Sequence, residues 1–396
     1  MKIALLTEKY TPDIGGLAIS TERLARLLAS AGHDISVYCP SLGLSPSEAR
    51  TFASNAVSVT RFGARKRVDD TLVDWFELVV EQHKREPFDV VQGYFLPQAG
   101  LVAAYAGKYL NIPSVVSVRG NDIERAAFDP GKFSHVMYAL QNAGAVTTNA
   151  KVLVHKARAF FEREIFMIPN GVNTDHFKPM EKILKLIQTS RVIPPEAGGL
   201  PSYFGPMLPA PIHNRVIGFV GELREKKGLK TLLSAYAQVN KQQPSTLLIV
   251  GMIRQGEDKQ AFEEFITVNP NLQIYVTGYI PPKDLPAYYS LMDVFVHPSS
   301  RDGMPNAVLE AMACERAVIA TPVGGVPELI RDDENGLLVP TADADELAAA
   351  ILSLLNDSDR RLRLGKAGRE TIKAHFSLQK ELAGNIAVYR KLGLNP

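Results

Sequence analysis

Two carboxylates, Asp302 and Glu310, stand with seven residues between them in Arg301-Asp302-Gly303-Met304-Pro305-Asn306-Ala307-Val308-Leu309-Glu310-Ala311-Met312-Ala313-Cys314. Val294-Phe295-Val296 ahead of them reads as a short buried strand, and His297 to Gly303 as the loop that ends it. Pro305 marks the start of a helix, where a missing N–H costs nothing. That helix is apolar almost all round, the pattern of a buried helix, and Glu310 lies inside it. A carboxylate so placed needs hydrogen-bond donors, and a diol such as a ribose edge would supply two. The open N–H groups and positive dipole end of the same helix face the Asp302-Gly303 loop, a natural seat for phosphate. A nucleotide meets both demands. The bland alternative is a Glu310 that reaches solvent at a helix edge, and two acids at this spacing are not specific by themselves.

The elements that would position these residues read as alternating strands and helices. Ile3 to Thr7 is a continuous apolar run, as in a buried parallel strand. After the loop Glu8 to Gly16, Leu17, Leu24, Leu27, Leu28 and Ala31 recur at helical spacing, closed by Gly32. Gly-x-Gly-x-x-Gly and a Walker lysine are absent from this loop, which disfavours a dinucleotide oxidoreductase. Further strands are expected at Ile35–Cys39, Val57–Phe62, Asp89–Phe95, Val115–Val118 and Ala145–Asn149. A Pro/Gly-rich stretch without periodicity, 179–214, reads as a linker. Strands resume at Arg215–Gly221, Leu247–Gly251 and Ile274–Thr277, with helices at Leu285–Leu291, Leu347–Leu355 and Leu382–Leu392.

At 396 residues the chain can hold two domains with separate cores, and its 46% apolar and 22% charged content is that of a soluble globular protein. A net charge of +2 argues against a nucleic-acid binder relying on broad electrostatics. Cys39 and Cys314, far apart and in apolar surroundings, give no disulfide framework or metal spacing, which fits a reducing cytoplasm. The first apolar run is too short for a signal peptide, and no run approaches membrane-spanning length. Weak peripheral contact with the inner membrane face stays open. The basic cluster Arg61 to Arg67 reads as a solvated loop, ahead of a site for anionic lipid or a phosphorylated acceptor. Asp343-Ala344-Asp345 and Asp357-Ser358-Asp359 read as helix caps rather than metal ligands. His297 reads as a satisfied structural histidine.

Taken with its neighbours, the acidic pair becomes specific. The chain resembles the retaining glycosyltransferases of family 4, on Pro298-Ser299, Asp302-Gly303-Met304-Pro305 and Glu310-Ala311-Met312-Ala313, with Asp302 in place of the commoner Glu. The match runs on through Thr321 to Glu328 and Asn335 to Val339, and earlier through Ile168 to Phe177. The resemblance implies a GT-B fold: two doubly wound α/β domains with parallel sheets facing across a cleft. It places an acceptor-binding domain at 1–178, with the helix 379–396 packing back on it, and a donor-binding domain at 215–378.

The activity implied is transfer of a sugar from a nucleoside-diphosphate sugar to a hydroxyl acceptor (sugar, lipid-linked or small molecule), with no metal and no cofactor. By resemblance Glu310 holds the ribose and Asp302, Gly303 and Met304 the sugar. Lys227, in register with the family's Lys-Gly, and Arg224 take the diphosphate, although Glu222 replaces the family's Arg. Gly15 and Gly16 match the amino-terminal Gly-Gly loop; Tyr279 and Ile280 match the base-contacting segment. Pro305, Asn306 and Leu309 complete the donor set. Arg119-Gly120-Asn121-Asp122 stands where the family has His-Gly-x-Asp, which points to Arg119, Asn121, Asp122 and the nearby Tyr94 as acceptor contacts. Catalytic roles fall to Asp302, Glu310, Lys227 and Arg119. Arg119 could instead pair only with Asp122 or Glu124. A GT-B phosphorylase, a nucleotide-sugar epimerase and a non-catalytic nucleotide-sugar binder are the rival readings.

Overall fold

A computed structural model describes residues 1–13, 15–54, 56–180 and 215–396. Most of the expected linker lies outside the described residues. The chain divides into two compact units, Met1–Gly171 with Phe376–Pro396, and Val172–His375.

The first unit is built on strands β1 (Lys2–Thr7), β2 (Asp34–Ser41), β3 (Ala49–Ser54), β4 (Val57–Gly63), β5 (Val90–Tyr94), β6 (Ser114–Val118), β7 (Ala145–Thr148) and β8 (Ile165–Met167). They form one sheet in the order β3-β4-β2-β1-β5-β6-β7-β8. Strand side chains alternate between faces. Ala4 and Leu6 of β1 therefore enter one core with Trp75, Val91 and Val116, while Ile3 and Leu5 enter the other with Leu24, Val37 and Val115. Both faces are covered by helices, which is why the strands read as unbroken apolar runs. These helices are α1 (Gly16–Ser30), α2 (Val68–Arg85), α3 (Leu101–Leu110), α4 (Asn121–Glu124), α5 (Pro130–Asn142) and α6 (Lys151–Arg158).

One strand departs from the all-parallel expectation. β3 pairs antiparallel with β4 at the sheet edge, Thr51 opposite Thr60. Its residues are almost all exposed, so it carries no apolar run that would announce it.

The second unit has strands β9 (Val216–Val220), β10 (Thr246–Val250), β11 (Gln273–Val276), β12 (Val294–His297), β13 (Ala317–Ala320) and β14 (Leu337–Leu338), all parallel, in the order β11-β10-β9-β12-β13-β14. Around them lie α7 (Leu229–Gln242), α8 (Glu257–Val268), α9 (Leu285–Leu291), α10 (Asn306–Ala313), α11 (Val326–Leu329), α12 (Ala344–Asn356) and α13 (Ser358–His375). Asp343 caps α12 by accepting the Glu346 N–H at 2.9 Å, and Asp357 accepts the Arg360 N–H at 2.9 Å, the capping role read from sequence. No helix among the described residues is long and apolar enough to cross a membrane.

The last helix, α14 (Leu378–Lys391), belongs to the first unit. Val388 and Tyr389 enter the core beneath β1 and β5, and the Tyr389 hydroxyl meets the Gln92 side chain. Glu381, 2% exposed, accepts from Arg23 Nε at 2.8 Å and from the Gly171 N–H at 3.0 Å. Removing one partner of such a buried pair strands the other. Glu381→Ala is expected to destabilise the first unit by about 3–5 kcal/mol, and Glu381→Gln by clearly less. Denaturant unfolding of both variants checks this, and equal losses would show that the charge and its bonds do not seat the helix.

Candidate functional site

In an open parallel sheet, ligands bind beyond the carboxyl ends of the strands where the strand order reverses. In the second unit β10 lies on one side of β9 and β12 on the other, so the reversal falls between β9 and β12. The loops leaving these two strands carry Arg224, Lys227 and Asp302.

The two loops are pressed together at backbone level. Gly228 caps α7 with φ +80°, and a Cβ there would stand 2.1 Å from the Pro298 carbonyl oxygen. The Ser300 N–H donates to the Lys226 carbonyl at 3.0 Å. This contact brings the Lys227 ammonium against the Asp302 carboxylate. Asp302 Oδ2 also meets His297 Nε2 at 2.9 Å, and Oδ1 accepts the Gly303 N–H at 3.0 Å. Gly324, at φ +58°, sits where a Cβ would be 2.2 Å from the Asp302 carbonyl oxygen. The Gly325 N–H donates to the Gly303 carbonyl at 2.7 Å.

The electrostatics follow from this geometry. Burial opposes charge on Asp302, but the adjacent Lys227 and the His297 hydrogen bond outweigh it and hold the carboxyl well below the usual carboxylate range. Burial drives the His297 imidazole the other way, toward the neutral form, against the pull of Asp302. A neutral His297 that donates from Nε2 to the carboxylate leaves Nδ1 as the acceptor. That atom is buried without a partner among the described residues, so the histidine is only half satisfied.

Pro305 stands one position earlier than expected, as the cap of α10, with φ −76° and ψ 111°. Glu310 in α10 is half-buried. One of its donors is Tyr289, whose hydroxyl reaches Oε2 at 2.8 Å. Tyr289 comes from α9, is fully buried, and packs edge-on against Phe295 and Phe177. Sequence reasoning missed this tyrosine because nothing in its spacing ties it to Glu310. Met304, Pro305 and Leu309 are buried. Asn306 is half-buried, while Tyr279 is 52% exposed beside Ile280. Arg224 pairs with Glu222 at 3.3 Å, so the acid that departs from the family pattern holds the cation nearest it.

In the first unit Gly15 caps α1 at φ +134°, and a Cβ on Gly16, which opens the helix, would meet nothing within 4 Å outside the helix's own backbone. The loop ahead of them is tied down by Arg61, whose guanidinium donates to the Tyr10 and Thr11 carbonyls at 2.5 and 3.2 Å and pairs with Asp13. Arg61 thus departs from the solvated-loop reading of this cluster, whereas Arg65, Lys66 and Arg67 are exposed as that reading expects, Arg65 paired with Asp74. Charge density alone gave no sign of either partner.

Arg119 lies 3.9 Å above the Tyr94 ring and donates to Asn170 Oδ1 at 3.0 Å. Its guanidinium reaches neither Asp122 nor Glu124, and Glu124 is paired with Lys156. Asp122 is fully buried and accepts the N–H groups of Arg119, Gly120 and Ile123, closing its own turn. Tyr94 is fully buried too. Both therefore lie beneath the surface that an acceptor would touch, while Asn121 is exposed.

Comparison with known proteins adds a second line. Residues 14–176 match the family described as Glycosyltransferase Family 4, and residues 208–371 the one described as Glycosyl transferases group 1. The capsular polysaccharide biosynthesis glycosyltransferase CapM of Staphylococcus aureus is 27% identical over 328 residues, 76% of each chain. An uncharacterized glycosyltransferase of Methanocaldococcus jannaschii is 24% identical over 394 residues, 99% of each. Among solved structures, sucrose-phosphate synthase from Thermosynechococcus elongatus superposes with a TM-score of 0.80 at 24% identity, covering 99% of both chains. Anabaena HepE in complex with UDP-glucose gives 0.77 at 20%, also over 99% of both. At these identities the two structures establish the shared fold.

The close approach at Gly324 yields a prediction. Gly324→Ala is expected to destabilise the second unit by about 1–3 kcal/mol more than Gly256→Ala. Gly256 shares a positive φ of +89° but has nothing within 4 Å of its would-be Cβ. Thermal or denaturant unfolding compares the two, and equal costs would show that Gly324 does not need its space to seat Asp302.

Proposed function

From the premise that the chain belongs to glycosyltransferase family 4, the glycosyl transferases group 1, and is a glycosyltransferase, we propose that it moves a sugar from a nucleoside-diphosphate sugar to a hydroxyl acceptor with retention of configuration. The observation that carries this reading is the Lys227–Asp302–His297 cluster at the β9/β12 reversal, beside a helix whose half-buried Glu310 keeps one oxygen on Tyr289.

On this reading Glu310 Oε1 accepts from a ribose hydroxyl, while Tyr289 fixes the carboxylate's rotation through Oε2. Lys227 leaves Asp302 in part to meet the diphosphate, with Arg224 as a second cation. The first N–H groups of α10 add positive potential at the same place. Asp302 and the N–H groups of Gly303 and Met304 take hydroxyls of the transferred sugar. Gly15 and Gly16 offer backbone that can come close to a phosphate. Tyr279 and Ile280 flank the base.

The bond from the anomeric carbon to the diphosphate oxygen breaks as the acceptor oxygen bonds to the same carbon on the same face. The acceptor proton passes to the departing diphosphate, so no side-chain nucleophile is called for. What the protein supplies is stabilisation of developing negative charge and placement of the reactants. Arg119, held on Tyr94 and Asn170, adds fixed positive charge from the first unit.

The test is a donor panel headed by UDP-glucose, the ligand of HepE, with GDP- and ADP-sugars beside it, read by nucleotide release with and without acceptors. Lys227→Ala is expected to lower kcat/KM by on the order of 10²-fold or more, since it acts on charge that develops on the departing diphosphate, and Glu310→Gln to lower kcat/KM through a raised donor KM, since it loses a ribose contact. Unchanged turnover in both variants would remove these roles. Turnover that requires orthophosphate, or that proceeds without any acceptor, would replace transfer by phosphorolysis or epimerisation.

A further inference from the structure

Among the described residues, the Asp302 carboxylate bonds to three groups: the Lys227 ammonium and His297 Nε2 on Oδ2, and the Gly303 N–H on Oδ1. A Lys227 that turns toward a diphosphate withdraws the strongest of them from a carboxylate only 18% exposed. Removing one partner of a half-sequestered charge pair is the costly case, because the charge left behind stays out of water. The cluster therefore needs a donor that remains when Lys227 moves. The titratable groups nearby are Lys226 and Lys227 from the loop after β9, and His297 and Arg301 from Asp302's own loop. The third loop, 321–327, carries no titratable side chain.

His297 is placed to remain. It ends β12, is 2% exposed, and lies against Phe295 with the ring planes 17° apart. Its carbonyl accepts the Thr321 N–H at 3.2 Å, which ties it to the neighbouring strand end. Facing a carboxylate, a neutral imidazole has to present its N–H, since two acceptors repel. Ser299 Oγ, 3.1 Å from the same nitrogen, shares that proton. Burial lowers the imidazole's pKa against the pull of Asp302, so the ring donates as a neutral group. The other nitrogen, Nδ1, is buried with no partner among the described residues. An apolar side chain would fill this place without stranding a polar atom, so the use of the imidazole lies at Nε2.

We propose that His297 is a positioning residue for the donor sugar, its Nε2–H keeping the Asp302 carboxylate charged and in one orientation while Lys227 is drawn to the diphosphate. Oδ1 then stays turned to the Gly303 N–H and to the sugar hydroxyls. The proposal rests on the transfer reading for the movement of Lys227, but the hydrogen bond itself does not.

Two measurements test it, one without any ligand. In Lys227→Met the carboxylate depends on His297 and one N–H. Adding His297→Leu is expected to raise the Asp302 pKa by about one unit or more. A carboxyl raised in the folded state binds more protons there than in the unfolded chain. Relative to Lys227→Met, the double variant should therefore lose stability as pH rises through that pKa, and Lys227→Met/His297→Gln, which keeps an N–H donor, should not. Denaturant unfolding from pH 4 to 8 reads this, and parallel curves for all three would overturn the role.

The second measurement is calorimetric binding of UDP-glucose, then GDP-mannose and ADP-glucose, to the full chain over the same pH range. With His297→Leu the affinity should fall about threefold or more further at the acid end than in the unaltered chain, and His297→Gln should restore the profile. A loss of equal size at every pH would mark His297 as merely structural and overturn the proposal. Failure of the unaltered chain to bind any of the three would overturn the donor reading instead, and the unfolding curves would then decide the hydrogen bond alone.

Discussion

The carbonyl of Pro298 occupies the space that a side chain on residue 228 would need, and most of the charged cluster in the second unit depends on that exclusion. With the backbone after β9 pressed to the backbone after β12, Lys227 and Asp302 meet although they are far apart in sequence. Their contact, with the His297 hydrogen bond, in turn keeps Asp302 ionised despite burial. Gly324 and Gly325 close the arrangement from a third loop. Charges fixed by backbone contact do not have to reorganise when charge develops on a leaving group, which is where electrostatic catalysis gains most.

How much of this was legible in the chain follows from the physics of each element. Strands buried on both faces show as apolar runs, so β1, β2, β4, β9, β10 and β12 were readable within a residue or two, while the short β13 went unread. β3 was not, because an exposed edge strand has no such run. Helices α2, α8 and α13, rich in charged residues, also went unread. At the site, the acids, Lys227 and the glycines were visible through local pattern. The partners that make them work were not: Tyr289 for Glu310, Asn170 and the Tyr94 ring for Arg119, and Asp13 for Arg61. Each of these contacts links residues from different elements, and no periodicity within either element encodes them. Glu8 escaped notice for a related reason, since only the fold shows that one of its oxygens is buried and unanswered.

The two units place chemistry at equivalent topological positions but in opposite states. In the second, the acid at the strand reversal is engaged by an ammonium, an imidazole and an N–H. In the first, the acid that follows β1, Glu8, has a buried oxygen without a hydrogen-bond partner among the described residues. An engaged cluster is preorganised and tolerant of what binds beside it. An open one makes its own demands on shape and charge.

The placement of α14 has a consequence for how the chain is made. Tyr389 and Val388 belong to the core under β1 and β5, and Glu381 secures the N–H of Gly171. Every residue of the second unit is translated before these are. During synthesis the nascent first unit must wait on the ribosome with part of its interior uncovered, although eight of its strands have already emerged. The second unit, contiguous in sequence, can complete its own interior sooner, so the half that starts first is the half that finishes last.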